Sequence, residues 1–158
     1  MDLSTIVDTP DAEFEILHPV TRVPTGNFFK LLGPQHPIRK AGFVSMKLAG
    51  MGSAAAKGMT DEEIIAEREL QFLVDCTTGW RYQNPDPKKQ DDAGPYIRWE
   101  GGNLVHTPDA VRNIYGNPKY GWLRDQVDTW LGKRDRFISD SSTTSAAGSS
   151  GVSVSTAP

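Results

Sequence analysis

The chain has 158 residues, 17 basic against 20 acidic side chains, and one cysteine, Cys76. This length fits one domain, since single domains cluster near about 100 to 150 residues. A net charge of −3 provides no positive field for a phosphate backbone, so nucleic acid is not an expected partner. A lone cysteine excludes an intrachain disulfide and a zinc site built from several thiolates, and it fits a reducing compartment.

Targeting and membrane signals are weak in this sequence. The first residues, 1–5, are acidic and lack the basic start and apolar run of a secretory signal. The least charged internal run, 41–56, contains Lys47 and three glycines, and it falls short of the roughly 20 apolar residues that a bilayer span needs. We therefore expect a cytoplasmic protein without a membrane partner.

Two short apolar-aromatic runs, 14–17 and 28–32, open the predicted domain. The segment between them contains Pro19, Pro24 and Gly26, and this punctuation predicts a β-hairpin with a long connection. The following stretch, 37–57, is rich in Ala, Met, Leu and Lys but is interrupted by glycines. It predicts a helix that glycine weakens, at about 1 kcal/mol for each residue relative to alanine.

The clearest helix start lies at Thr60. Its hydroxyl can accept from the amide of Glu63, whose carboxylate can reach back to the amide of Thr60. Apolar spacing then predicts a helix over 61–77. We expect Gly79 to end this helix and Trp80 to begin a long exposed loop through about residue 95.

Three further elements are predicted before the end of the domain. The segment 96–99 is compatible with a third short strand that returns to the hairpin. Thr107 followed by Pro108 predicts the start of a short helix, 108–115. The last helix, predicted over 118–136, carries a continuous apolar stripe that includes Leu123, Val127 and Trp130.

The composition changes after residue 138. Of the 20 residues in 139–158, eight are Ser and three are Thr, so this tail cannot bury enough apolar surface to become ordered. The sequence thus predicts a single α+β domain over 1–138, with an N-terminal hairpin and a mainly helical body, and a disordered tail over 139–158.

Residues that could perform chemistry are sparse. The histidines His18, His36 and His106 are far apart and lack ligand spacing, so we predict no metal site. Cys76 lies beside an apolar stripe, where a buried and inert thiol is the usual outcome. The glycine-rich run 50–55 imitates a phosphate-binding turn but lacks the surrounding βαβ unit. We therefore predict no catalytic residue, no cofactor and no enzymatic activity; a small enzyme with an unrecognised site remains one alternative.

The apolar helical stripes and the tryptophans suggest a surface for another protein. Such stripes can also pack inside the molecule, and for a core this small we favour burial, above all for Trp130. Self-association is left open. The candidate partner-binding residues are Leu70, Leu73, Trp80, Trp122 and Leu123.

Two blocks of the sequence resemble small proteins of tailed-bacteriophage tail modules. The first, 14–26, contains the hairpin with its Pro24-Thr25-Gly26 return, and the second, 120–137, is similar to the closing helix of those proteins. Between them, the run 70–80, which ends Cys-Thr-Thr-Gly-Trp, and the helix start at 107–109 keep the same order. The resemblance covers roughly 14–137, and it points to the tail assembly chaperone family.

The resemblance implies a non-enzymatic protein of the infected host cytoplasm that is absent from the mature virion. A tail assembly chaperone binds the tape measure protein, keeps that long helical chain soluble and helps to recruit tail tube subunits. The family also implies a longer product made by ribosomal frameshifting. The segment 42–58 departs from the family, in which a more charged helix is expected. The alternative within the same context is a minor structural tail or head-to-tail component of the virion.

Overall fold

The computed structural model describes residues 2–48 and 58–140, and in these residues strands and helices share the fold, which is α+β as predicted. The strands are β1 (Ile6–Asp8), β2 (Asp11–Leu17), β3 (Pro24–Leu32), β4 (Thr77–Gln83), β5 (Ala93–Gly94), β6 (Tyr96–Trp99), β7 (Gly102–Val105) and β8 (Ile138–Asp140). The described α-helices are α1 (Pro37–Leu48), α2 (Asp61–Cys76), α3 (Pro108–Tyr115) and α4 (Gly121–Leu131), and short 3-10 turns flank several of these elements.

The predicted hairpin is confirmed as the β2–β3 pair, and it forms half of a four-stranded antiparallel sheet in the order β2-β3-β4-β5. Phe14 lies opposite Phe29, and Phe29 lies opposite Trp80, so aromatic side chains line one face of the sheet. Gly26 lies at the start of β3 with a φ of 81°, and a Cβ there would lie 2.5 Å from the carbonyl oxygen of Gln83. This position therefore requires glycine.

The loop predicted to begin at Trp80 is wrong. Strand β4 follows α2 directly, with no intervening loop. Thr77, the first residue of β4, has an extended backbone, and its amide still donates to the carbonyl of Leu73 in the last turn of α2. Thr77, Trp80 and Tyr82 are buried in β4, which pairs with both β3 and β5. The irregular segment therefore begins only after Gln83.

The two helix caps predicted at Thr60 and Thr107 are confirmed. The amide of Glu63 donates to the Thr60 hydroxyl at 3.2 Å, and the amide of Thr60 donates to the Glu63 carboxylate at 3.1 Å. The hydroxyl of Thr107 accepts from the amide of Ala110 at 3.0 Å, and Pro108 occupies the first helical position. The Thr60–Glu63 bonds are reciprocal, and both caps satisfy amides that have no partner within the helix.

Helix α1 packs against α2 and contributes no buried residue. The predicted helix over 37–57 is described only to Leu48, and residues 49–57, including the glycine-rich run 50–55, lie outside the described residues. A Cβ on Gly42 would lie 2.9 Å from the ring of Phe72, so this glycine permits the close approach of α1 and α2. Gly42 therefore allows the two helices to pack closely, whereas the sequence had indicated only that glycine weakens this helix.

The strand predicted over 96–99 exists but does not join the hairpin sheet. It is β6, and it pairs with β7 in a separate two-stranded ribbon, with Tyr96 opposite Val105 and Trp99 opposite Gly102. The third strand of the hairpin sheet is β4 instead. Four strands lie between α2 and α3, although helices still account for most of the ordered residues that follow the hairpin.

The last predicted helix is shorter than expected. Residues Pro118–Tyr120 form a 3-10 turn, α4 ends at Leu131, and a second 3-10 turn spans Arg134–Phe137. Ser139 and Asp140, predicted as the start of the tail, belong to β8 and pair with Val7 and Ile6 of β1. The rest of the predicted tail, 141–158, lies outside the described residues.

The core lies between the aromatic face of the sheet and helices α2, α3 and α4. Its largest fully buried side chains include Phe29, Leu31, Ile97, Leu123 and Phe137. The opposite face of the sheet carries an ion pair between Arg81 and Glu13 at 2.8 Å. One face is thus apolar and the other charged, which is typical of an antiparallel sheet with one solvated side.

Candidate functional site

Three of the five predicted partner-binding residues lie in the core. Leu73, Trp80 and Leu123 are 2%, 6% and 1% exposed, so a partner cannot reach them while the domain is folded. Leu70 is half-buried against the same core. Their apolar stripes pack inside the molecule, which was the favoured alternative for a small core.

Trp80 shows what this burial achieves. Its indole N–H donates to the carbonyl of Leu104 at 2.8 Å, and its ring lies 5.3 Å from Phe29 and 5.2 Å from His106 between ring centroids. The side chain therefore joins the β6–β7 ribbon to the main sheet. Its partially polar ring fulfils a structural role at this position.

Cys76 is fully buried, as the sequence predicted. Burial raises the pKa of the Cys76 thiol to about 12, although the positive charge of Arg39 acts in the opposite direction. A nucleophilic cysteine needs the reverse shift, since the thiolate is the reactive form. Cys76 therefore lacks the environment of a catalytic thiol.

The three histidines occupy separate sites. His18 and His36 each accept from nearby backbone amides through Nδ1, and His106 contacts the carbonyl of Thr77 at 2.9 Å. Within residues 2–48 and 58–140, no three His, Cys, Asp or Glu side chains are grouped so that they could hold a metal ion. None of the described helices combines the length and apolar character needed to cross a bilayer.

Trp122 is the one predicted partner-binding residue that is half-buried and lines a surface groove. This hairpin groove has a volume of about 280 Å³ and lies between the β2–β3 connection and α4. Trp130 lines this groove and stacks on Phe14 at 4.7 Å between ring centroids, with the cationic group of Arg136 4.8 Å from the ring of Trp130. The groove is lined by Leu17, Pro19, Arg22, Trp122, Asp125, Gln126, Thr129, Trp130 and Lys133.

A second groove is larger and more apolar. We call it the α1 groove; its volume is about 400 Å³, and α1 forms one wall while the C-terminal end of α4 forms the other, with Phe72 of α2 between them. Phe43 is 46% exposed at its edge. The lining residues are Pro34, Arg39, Lys40, Phe43, Met46, Phe72, Asp128, Leu131 and Gly132.

Arg39 holds the two walls of the α1 groove together. Its guanidinium donates to the carbonyl of Leu32 at 2.9 Å and to the carbonyl of Leu131 at 2.5 Å. The second bond satisfies a carbonyl at the end of α4, where a cation is also favoured by the helix dipole. The bond to Leu131 therefore ties α1 to the end of α4.

The walls of the α1 groove carry opposite charges. Lys40 lies on the α1 wall and Asp128 on the α4 wall, and neither takes part in an ion pair within the described residues. Partial burial raises the pKa of Asp128; Arg124 lowers it, and the negative charges of Asp125 and Glu69 raise it further. The position of Asp128 in the last turn of α4 also disfavours an anion.

This arrangement is suited to binding an amphipathic helix. An apolar groove between helices accepts side chains spaced three or four residues apart, and charged walls orient the bound segment. The sequence missed Phe43 and Asp128 because the groove joins three elements that are distant in the chain. One signal for the groove was present in the sequence, because apolar residues are interspersed among the basic residues of α1. The structure leaves several of these apolar side chains exposed.

Comparisons of the chain with protein-family models, with curated proteins and with solved structures find no match.

Proposed function

We propose that this protein is a tail assembly chaperone of a tailed bacteriophage, which acts in the host cytoplasm and leaves before the virion matures. Its clients would be the tape measure protein, which it keeps soluble, and the tail tube subunits that it helps to recruit. The observation that carries the proposal is the α1 groove, an apolar groove beside helices that the described part of the chain does not fill.

The chemistry of the α1 groove matches a long helical client. Phe43, Met46, Phe72 and Leu131 present apolar surface, which can cover the apolar stripe of an amphipathic helix and so keep that helix from aggregating. Asp128 on the opposite wall offers a carboxylate with a raised pKa. A cationic side chain of the client would favour the charged form of this carboxylate and so lower its pKa. Binding at this groove requires no bond-forming step, in agreement with a non-enzymatic role.

The direct test is co-expression with the tape measure protein encoded beside it. We expect the tape measure protein to be soluble and to co-purify with the wild-type chain, but to be lost from the soluble fraction with Phe43→Ser. Val20→Ser is the matched control, because Val20 is also apolar and 81% exposed but lies in the β2–β3 connection, away from the α1 groove. Unchanged solubility of the tape measure protein without any complex would overturn the proposal.

An independent test reads the encoding DNA. A tail assembly chaperone of this family is expected to have a slippery heptamer near the end of its reading frame, in the region that encodes 139–158. The alternative role, a minor structural tail or head-to-tail component, makes a different prediction for purified particles. Mass spectrometry would find the chain at stoichiometric amounts in mature virions if that alternative is correct.

A further inference from the structure

We infer that the free protein forms a two-fold symmetric dimer, in which the α1 groove of each copy is covered by α1 of a second copy. This inference uses the same groove as the proposed function, but it concerns the chain alone and does not depend on any client. It follows from the apolar edge of the groove and from the arrangement of charge on its two walls.

The first observation is the exposed apolar surface along α1. Phe43, Val44 and Leu48 are 46%, 55% and 57% exposed, and α1 contributes nothing to the core. Of these three residues, Phe43 also lines the α1 groove, and exposed apolar surface of this kind marks contact surfaces in proteins. A second copy provides both the side chain to insert, Phe43, and the groove to receive it.

The second observation is that charge is separated across the groove. The α1 segment Pro37–Leu48 is basic and contributes Lys40 to the groove, whereas the facing wall contributes Asp128, whose charge Arg124 partly offsets. Consider two copies whose grooves face each other. A two-fold axis that lies between them, parallel to the groove, places the α1 wall of each copy opposite the α4 wall of the other. The basic wall of each copy then faces the acidic wall of the other, so the surface is complementary to itself.

Symmetry also decides between two ways of pairing. If α1 packed in antiparallel fashion about its middle against α1 of a second copy, Lys40 of each copy would lie near Lys47 of the other, and like charges would oppose association. When α1 lies over the groove instead, Lys40 approaches Asp128 of the other copy. The charges therefore favour the groove pairing over the direct helix pairing.

Sedimentation equilibrium of the full chain over a range of concentrations tests the inference. We expect a monomer–dimer equilibrium for the wild type and a monomer for Phe43→Asp, while Val20→Asp, the matched control in the β2–β3 connection, should dimerise as the wild type does. The dimer should weaken in 1 M salt, because the Debye length falls to about 3 Å there. A wild-type monomer at every concentration, or a dimer that Phe43→Asp leaves unchanged, would contradict the inference.

Charge reversal distinguishes the predicted contact from a general effect of surface charge. Lys40→Glu and Asp128→Lys should each weaken the dimer at least tenfold, whereas the double variant K40E/D128K should recover most of the wild-type affinity because the facing pair is inverted. Circular dichroism and thermal unfolding would show that each variant is folded. Failure of the double variant to recover affinity would show that the two residues do not face each other.

Measurements on the wild-type chain separate this inference from the proposed function. A wild-type dimer that solubilises no client would retain the inference and overturn the proposed function. A wild-type monomer that solubilises the client would overturn the dimer inference and support the proposed function.

Discussion

The side-chain amide of Gln126 in α4 pairs with the backbone of Leu17 as a neighbouring strand would. The amide N–H of Leu17 donates to the Gln126 side-chain oxygen at 3.1 Å, and the Gln126 side-chain nitrogen donates to the Leu17 carbonyl at 2.7 Å. Leu17 ends β2, which is an edge strand of the four-stranded sheet. Gln126 therefore satisfies two backbone groups at an exposed edge and anchors α4 to the hairpin.

Replacement of Gln126 by alanine is expected to lower the free energy of unfolding by about 1–3 kcal/mol, because two partly buried backbone groups lose their partners. Urea unfolding monitored by tryptophan fluorescence measures this change. Gln126→Glu should also destabilise the domain, since a carboxylate can accept from the Leu17 amide but cannot donate to its carbonyl. Gln35→Ala is the control, because Gln35 is exposed and its side chain forms no hydrogen bond with the residues that the structure describes; an equal loss for that variant would contradict the assignment.

Local signals explain which elements were predictable. The cap at Thr60 with Glu63 and the cap at Thr107 with Pro108 each lie within four residues, so sequence spacing alone located both helix starts. The same local reasoning failed at Gly79, which was interpreted as the end of a helix. There, pairing of Trp80 with Phe29 decides the conformation, and the two residues are far apart in the chain.

The candidate site was less predictable than the fold. Leu73 and Leu123 carry the same apolar periodicity whether they face a partner or the core, and only the packing of α2, α3 and α4 against the sheet shows that they are buried. The α1 groove depends on Phe43, Phe72 and Asp128, which belong to three different helices. Charge separation across such a groove is a property of the tertiary structure, so no single motif in the sequence indicates it.

A buried hydrogen bond joins the end of α2 to α3. The hydroxyl of Thr77 donates to the carbonyl of Leu73 at 2.8 Å, and it therefore accepts from the hydroxyl of Tyr115, also at 2.8 Å. Burial raises the pKa of Tyr115 well above its usual range. The two hydroxyls thus form an ordered pair inside the core.

The two partners of this bond should respond unequally to mutation. Tyr115→Phe should cost about 1 kcal/mol, because Thr77 keeps its bond to Leu73. Thr77→Val should cost about 1–3 kcal/mol, since it leaves the buried Tyr115 hydroxyl without that partner. Chemical denaturation of both variants and of the double variant provides the comparison. If Tyr115→Phe were the more damaging change, the direction of the bond would be wrong.

Cys76 should be unreactive in the folded protein. A pKa of about 12, against 9.0 for the unperturbed thiol, reduces the thiolate fraction at neutral pH about a thousandfold, and burial also blocks access. We expect a thiol reagent to modify the native chain only as fast as the domain unfolds, and to react at once in urea. A Val20→Cys variant is the internal control, because one of its two thiols should react immediately and the other slowly. Rapid labelling of both thiols would show that the core around Cys76 opens readily.

Asp128 makes the stability of the monomer depend on pH. Because partial burial raises its folded-state pKa above the unfolded value, folding favours the protonated form. This contribution is fully present below the unfolded pKa and is lost as the pH rises through the folded-state pKa. Arg124 opposes the shift from the same helix, while Asp125 and Glu69 add to it.

Asp128→Asn should therefore raise the free energy of unfolding at neutral pH, by less than about 1 kcal/mol because the carboxylate is partly solvated. The difference from the wild type should shrink as the pH falls and disappear below the unfolded pKa, which is about 3.9 for aspartate. Urea unfolding across this pH range, in protein dilute enough to be monomeric, measures the effect. Asp91→Asn is the control, since it removes the same charge from an exposed loop position. If Asp128→Asn instead destabilised the dilute protein at neutral pH, the carboxylate would already be paired with a cation of its own chain, and the acidic wall of the α1 groove would not be free to attract a second copy.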